Sequence, residues 1–148
     1  WSFAGVGQRP RPVQEPRPPI WIGGSGKPAL RRVAARGDGW IPQGTPRTQL
    51  PDDIAYILRH RDELRPGAMP EIGYITETVY VGEPDFDIGR YSVSGSAQKL
   101  VDSFNAVGAM GVSHLQLRFA SRSASELSDQ IAAFGAEVGP HLTRRNLD

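Results

Sequence analysis

A short glycine-rich stretch, Gly23-Gly24-Ser25-Gly26-Lys27, holds the residues whose types and spacing best suit ligand chemistry. It follows a predicted strand over residues 20–22 and precedes a predicted helix over residues 28–36. Glycine lets the backbone approach a ligand closely, and the first turn of a helix offers free N–H groups and the positive end of its dipole. Ser25 and Lys27 add a hydroxyl and a charge. The stretch predicts a site for an anionic group, most readily a phosphate, although a tight turn that binds nothing remains the alternative.

Two named phosphate-binding motifs fail at this stretch. A P-loop places a glycine ahead of its Gly-Lys pair and a Ser or Thr directly after it, but Trp21 and Pro28 occupy these positions. The dinucleotide-binding fingerprint asks for a third glycine where Ala29 stands, so that match is weak. The stretch is therefore interpreted as an anion site of neither named kind.

Two other places hold candidate residues. Asp38-Gly39-Trp40 begins the second predicted strand, where Asp38 could cap the preceding helix or face an arginine, and Gly39-Trp40 could be plain packing. Arg118 lies near the C-terminal end of the last predicted strand, the end at which parallel sheets bind ligands. Arg118 is a candidate for binding an anionic substrate, and a surface or ion-paired arginine is the alternative.

The elements that position these residues alternate between strand and helix. Strands are predicted over 20–22, 39–42, 72–81 and 114–119, with a loop over 82–95. Helices are predicted over 28–36 and 51–64, after a Ser96 cap, and from a Ser123/Glu126 capping box to Pro140. This order predicts a parallel α/β sheet in one domain over 1–148. It comprises an extended Pro/Arg-rich lead-in, 1–19, and four βα units, 20–148, or about half of a barrel of roughly 250 residues.

Composition excludes several classes of protein. The 148 residues carry a net charge of +1, so neither nucleic acid nor a charged membrane surface is an expected partner. No apolar run has the roughly 20 residues of a membrane span. With no cysteine, thiol catalysis and cysteine-ligated metals are excluded, and His60, His114 and His141 show no metal-binding spacing. No signal peptide is visible, so a cytoplasmic location is expected.

The two clearest sequence blocks resemble those of a known family. The block Pro16-Arg17-Pro18-Pro19-Ile20-Trp21-Ile22-Gly23-Gly24, followed by Gly37-Asp38-Gly39-Trp40-Ile41, is similar to the bacterial luciferase-like monooxygenases. The likeness is closest to the branch that uses the deazaflavin coenzyme F-420. Later segments, Gly95-Ser96-Ala97 and Gly111-Val112-Ser113-His114-Leu115, resemble the last helix–strand unit of the same family.

The resemblance implies the C-terminal half, strands five to eight, of a TIM-type (β/α)₈ barrel. It implies a flavin- or deazaflavin-dependent oxidoreductase or monooxygenase that acts on a small-molecule substrate, with coenzyme F-420 or FMN as cofactor. The cofactor-phosphate role carries over to Gly23, Gly24 and Ser25. Gly26 is included because it belongs to the same turn, and Trp40 because its strand runs beside the turn. No metal is implied, and the catalytic residues stay unassigned because the family's acid/base groups belong to strands one to four.

A half-barrel has two open strand edges, which must be covered or paired. The chain is therefore expected to be a fragment that lacks an N-terminal half, to pair with a second copy, or to fold as an open sheet that dimerises in another way. We expect the isolated chain to be inactive. The alternative function is a non-catalytic half-barrel module that binds a phosphorylated ligand or a partner chain.

Overall fold

The structure is a computed structural model that describes residue 2, residues 4–7 and residues 9–143. Residues 1, 3, 8 and 144–148 lie outside the described part, so the predicted lead-in and the last predicted unit are each described incompletely. In chain order the elements are β1 (Trp21–Gly23), α1 (Lys27–Arg36), β2 (Gly39–Ile41), α2 (Leu50–Leu64), β3 (Glu71–Val81), β4 (Ser92–Gly95), α3 (Ala97–Ala109), β5 (His114–Phe119) and α4 (Ala124–Ala133). A 3-10 turn, Arg47–Gln49, precedes α2, and a π-helical and a 3-10 turn, Phe134–Val138 and Gly139–His141, follow α4.

The five strands of the described chain form one parallel sheet around β3. β1 pairs with β2, β2 pairs with the beginning of β3, and β5 pairs with β3 from Gly73 onwards. β4 pairs with the last part of β3, Thr78 to Val81. Because β5 already pairs with Thr78 and Val79, β4 must lie on the opposite edge of β3, which β2 has left. The free edges of the described sheet belong to β1, β5 and the short strand β4.

The segment predicted as a loop, 82–95, contains the additional strand β4. Two backbone hydrogen bonds of 2.8 and 2.9 Å join Gly82 to Gly95 and close this excursion at its base. The register of β3 against β5 also shifts between Ile75 and Thr78, where β3 holds one extra residue. Such a β-bulge re-aims side chains and is common beside functional sites. The described part of the chain thus has five strands where four were predicted.

Amphipathic helices cover one face of the sheet and form two hydrophobic clusters with it. Helices α1 and α2 pack over β2 and the first half of β3, while α3 and the segment after α4 pack over the second half of β3 and β5. The first cluster includes Leu30, Val33, Trp40, Leu50, Ile54, Ile57, Ile72, Tyr74, Val107 and Val112, and the second includes Val79, Leu100, Val101, Phe104, Phe134 and Val138. Burial of these stripes supplies most of the driving force for the fold.

The helix starts follow the sequence signals closely. Pro28 lies in the first turn of α1, and Ser96 caps α3 by accepting from the amide of Lys99. Ser123 caps α4 by accepting from the amide of Glu126 at 3.1 Å. The second bond of the predicted capping box differs, because the Glu126 carboxylate accepts from the amide of Arg122 and not from that of Ser123.

The other face of the sheet is accessible. Along β5, Leu115, Leu117 and Phe119 pack against the helices, so the alternating residues, Arg118 among them, lie on the accessible face. On this face the indole ring of Trp21 lies over two neighbouring strands at glycines. A Cβ at Gly39 would come within 2.5 Å of the ring.

Candidate functional site

The predicted anion-binding turn joins the end of β1 to the start of α1. Gly24 has a φ of +100°, which favours glycine, and a Cβ there would come within 3.3 Å of the Cβ of Ala29. The carbonyl of Gly26 accepts the first helical hydrogen bonds, from Ala29 at 2.8 Å and Leu30 at 3.1 Å. No described side chain caps this end of the helix. The backbone amides that precede Ala29 do not donate within the helix. They point outward from the start of the helix, where an anion can bind them.

Hydrogen bonds of two side chains, Trp40 in β2 and Ser25 in the turn itself, hold this turn in place. The indole Nε1–H of Trp40 donates to the carbonyl of Gly24 at 2.7 Å, and the Trp40 side chain is fully buried. The Ser25 hydroxyl donates to the carbonyl of Gln43 at 2.8 Å and accepts from the Gln43 amide at 3.1 Å. Trp40 and Ser25 therefore position the turn, and their predicted direct contacts with a cofactor stay predictions. The side chain of Lys27 is exposed beside the turn.

A cleft of about 830 Å³ lies at the C-terminal ends of β2 and β5 and beside the middle of β3. Its walls are the β2–α2 loop, residues 42–48, the bulged part of β3, residues 74–77, and the side chains of Tyr91 and Arg118. Gln43 belongs to this lining and also bonds to Ser25, so the cleft begins where the turn ends. Its volume suits a cofactor or drug-sized ligand.

A half-buried polar network fixes one wall of the cleft. Arg47 donates to the carboxylate of Glu77 at 2.8 Å, to the hydroxyl of Tyr74 at 3.3 Å and to the hydroxyl of Ser103 at 3.0 Å. Burial is the largest single influence and opposes both charges, but the Arg47–Glu77 and Tyr74 hydrogen bonds and the attraction between the two charges together exceed it, raising the pKa of Arg47 and lowering the pKa of Glu77. Burial also raises the pKa of Tyr74, whose hydroxyl donates to Glu77 at 3.1 Å. The hydrogen bonds of Arg47 to Tyr74 and Glu77 thus hold the β2–α2 loop against β3.

Arg118 also lines the cleft, and a hydrogen bond to the bulged part of β3 holds it there. Its Nη2 donates to the carbonyl of Thr76, in the bulged part of β3, at 3.1 Å. The structure thus brings Arg118 and the β2–α2 loop to one cleft, and Ser25 connects that loop to the glycine turn. Inside the cleft wall, the Thr45 hydroxyl is buried and makes no hydrogen bond with any described residue.

Asp38 and His114 lie away from this cleft, at the N-terminal ends of their strands. Asp38 forms an ion pair with Arg17 and accepts from the amide of Ile20 at 2.7 Å, which confirms the predicted arginine partner. The Arg17 hydrogen bond, helped by that amide, lowers the pKa of Asp38 to about 2. His114 lies beside Ser113 and Glu71, with its Nδ1 3.4 Å from the Glu71 carboxylate. The described residues contain no group of His, Asp and Glu that could hold a metal ion.

Sequence reasoning missed Arg47 and Arg61. Arg61 is buried and donates to the carbonyls of Val33, Gly37 and Ala68 at 3.0, 2.6 and 2.7 Å. Its signal was available, because Arg61 follows Ile57 by four residues and so interrupts the apolar stripe of α2. Arg47 gave no such signal, because its partners lie 27 or more residues further along the chain.

Comparison with known proteins identifies the family. The family model for luciferase-like monooxygenases matches residues 1–88, more than half of the chain. The fold is similar to that of the coenzyme F-420-dependent tetrahydromethanopterin reductase from Methanopyrus kandleri, with a TM-score of 0.64 and 15% identity over 84% of this chain and 51% of that chain. It is also similar to an F-420-dependent secondary alcohol dehydrogenase in complex with an F-420–acetone adduct, with a TM-score of 0.66 and 15% identity over 84% of this chain and 49% of that one.

The chain therefore spans about half the length of these two solved structures. At this identity the likeness concerns the fold, and it confirms the predicted α/β half-barrel. None of the helices in the described residues is long and apolar enough to cross a membrane. Together, the family match and the parallel half-barrel show that the chain belongs to the luciferase-like monooxygenase family.

Proposed function

We propose that this chain contributes the cofactor-binding half of a flavin- or deazaflavin-dependent oxidoreductase or monooxygenase. The observation that carries the proposal is the turn between β1 and α1, with Gly24 in a conformation that favours glycine and a helix start that no described side chain caps. The amides of Ser25 and Gly26, with the exposed charge of Lys27, would hold the cofactor phosphate. Both FMN and coenzyme F-420 carry such a phosphate.

The residues at the turn fit a phosphate group. The Ser25 hydroxyl already donates and accepts a hydrogen bond, so backbone amides and not the hydroxyl are the donors left for a ligand. The adjoining cleft has room for the ring of the cofactor. When bound, a reduced flavin or deazaflavin supplies hydride or oxygen chemistry at its ring, while this chain orients it and excludes water.

We further propose that a second half-barrel completes the site. The free edges of β1 and β5 and the accessible sheet face would be covered by four more strands, from an N-terminal half or from a second copy of the chain. The isolated chain would then have no turnover, because the substrate-facing acid/base groups come from the other half. We also propose that the protein is cytoplasmic. Turnover by the purified chain would contradict this, and it would also rule out the alternative of a non-catalytic module.

The proposal is tested by fluorescence titration of the chain with FMN and with coenzyme F-420 in low-salt buffer. We expect saturable binding of one of them, and a Kd about tenfold higher for Gly24→Ala because the added methyl strains the turn. Gly67→Ala is the matched control, since Gly67 also has a positive φ, +76°, but lies in the loop between α2 and β3, away from the turn. Equal Kd values for the two variants would refute the assignment of the turn, and size-exclusion chromatography with light scattering reports the pairing.

A further inference from the structure

Tyr91 and Arg118 stand on either side of Thr78 at the C-terminal end of the sheet. The amide of Thr78 donates to the carbonyl of Tyr91 at 3.0 Å, and on its other edge Thr78 pairs with Arg118. Two strand spacings separate their backbones by about 10 Å. Both side chains line the cleft described above, so one small ligand can contact both.

The charge of Arg118 has no acidic partner within the described chain. Its hydrogen bond goes to a neutral carbonyl, that of Thr76, and none of the ion pairs among residues 2, 4–7 and 9–143 includes it. In the same cleft the charge of Arg47 is balanced by Glu77. The cleft therefore carries a net positive charge at the Arg118 wall, held in place by the bulge.

Tyr91 adds a flat apolar surface to this wall. Its side chain is 68% exposed, and the guanidinium of Arg90 lies 4.7 Å from the ring centroid. The excursion that carries Tyr91 is secured at both flanks. Gly82 and Gly95 close its base, and Arg122 forms a 2.9 Å ion pair with Asp85 while its guanidinium lies over the ring of Phe86. An aromatic ring exposed on a fixed wall of a cleft is suited to pack against a ligand.

We propose that Arg118 and Tyr91 bind the substrate of this protein, and that the substrate is a small organic carboxylate with a flat apolar body. Arg118 would hold the carboxylate through charge-assisted hydrogen bonds, and Tyr91 and Ile75 would contact the body. This inference rests on the proposed function, since it places the substrate in the cleft that adjoins the cofactor turn. It differs from that function in the ligand group it concerns, a carboxylate and not a phosphate.

The test is an NMR titration of the ¹⁵N-labelled chain with benzoate and with benzamide, a neutral compound of the same shape. Benzoate should shift the signals of Tyr91 and Arg118 in a saturable way and bind about tenfold more tightly than benzamide. Arg118→Gln should remove this preference, and Tyr91→Ala should weaken both compounds about threefold. Arg36→Gln, which changes an exposed arginine at the far end of α1, is the matched control and should change neither.

Equal affinity for benzoate and benzamide in the unaltered chain would overturn the inference, as would equal effects of Arg118→Gln and Arg36→Gln. The FMN and F-420 titrations separate this result from the proposed function. Cofactor binding without a preference for benzoate refutes only the carboxylate subsite. A preference for benzoate without cofactor binding supports the subsite and refutes the cofactor assignment.

Discussion

Replacing Arg61 by methionine tests the internal support of helix α1. The Arg61 side chain is only 3% exposed, and it donates to three carbonyls: Val33 and Gly37 at the end of α1, and Ala68 beyond α2. Burial lowers the pKa of Arg61, and no described carboxylate forms an ion pair with it. The guanidinium therefore acts as a fork of donors that joins the two helices.

The expected cost follows from these contacts. Each lost hydrogen bond contributes about 1 kcal/mol, or about 3 kcal/mol in all. The carbonyl of Gly37 keeps a 3.3 Å bond from Arg65, and methionine removes a buried charge, which together return about 1 kcal/mol. We therefore expect Arg61→Met to lower the free energy of unfolding by about 2 kcal/mol.

The measurement is urea unfolding followed by circular dichroism. With an m-value near 1.5–2 kcal/mol/M, the midpoint of Arg61→Met should fall by about 1 M without a change in m. Arg59→Met, on the exposed side of the same helix, is the control and should cost less than about 0.5 kcal/mol. Midpoints that fall equally in the two variants would refute the reasoning, because they would show that the three carbonyls do not depend on Arg61.

Two further predictions concern the ends of the sheet. The pKa of Asp38 is lower in the folded chain, about 2, than in the unfolded one, so its ionised form stabilises the fold above about pH 4 and this contribution is lost as the pH falls towards 2. Asp38→Asn should therefore lower the free energy of unfolding by about 1 kcal/mol at pH 7, after allowance for screening by solvent, and by almost nothing at pH 2. Thermal unfolding across that pH range measures this difference, and a loss of stability that does not change with pH would contradict the prediction. Ser25→Ala should speed hydrogen exchange of the Gln43 amide, about tenfold at most, because that amide loses its acceptor. Exchange at Gln43 that matches the unaltered chain would show that the turn and the β2–α2 loop are not coupled through Ser25.

Local signals in the sequence were enough to predict the alternation of strands and helices. Strand β5 was predicted at its observed bounds, and Pro28, Ser96 and Ser123 marked three helix starts because capping depends on neighbouring residues. β4 was missed because Ser92–Gly95 has little strand propensity of its own and forms by pairing with β3, more than ten residues earlier in the chain. Tertiary pairing overrode the local loop signal there.

The candidate site was predictable only where it depends on local sequence. The glycine turn follows from Gly23 to Lys27 alone, and Gly24 adopts the positive φ of such a turn, while the binding of an anion there stays a prediction. The network of Arg47, Tyr74 and Glu77 could not be read from the sequence, because it joins a loop to a strand after an intervening helix. The same holds for the approach of Tyr91 to Arg118, which depends on the unpredicted strand β4.

The indole of Trp21, lying over Gly39 and Gly73, has a consequence for the interior of a closed barrel. One large ring fills the space that the side chains of two neighbouring strands would otherwise share. The layer of side chains at this level of the barrel interior is therefore filled mainly from one strand. Any half-barrel that closes over this face must present small side chains opposite the ring. Trp21 is 37% exposed, while Trp40 is already fully buried. A shift of tryptophan emission to shorter wavelength on assembly would therefore show that water has left the surroundings of Trp21.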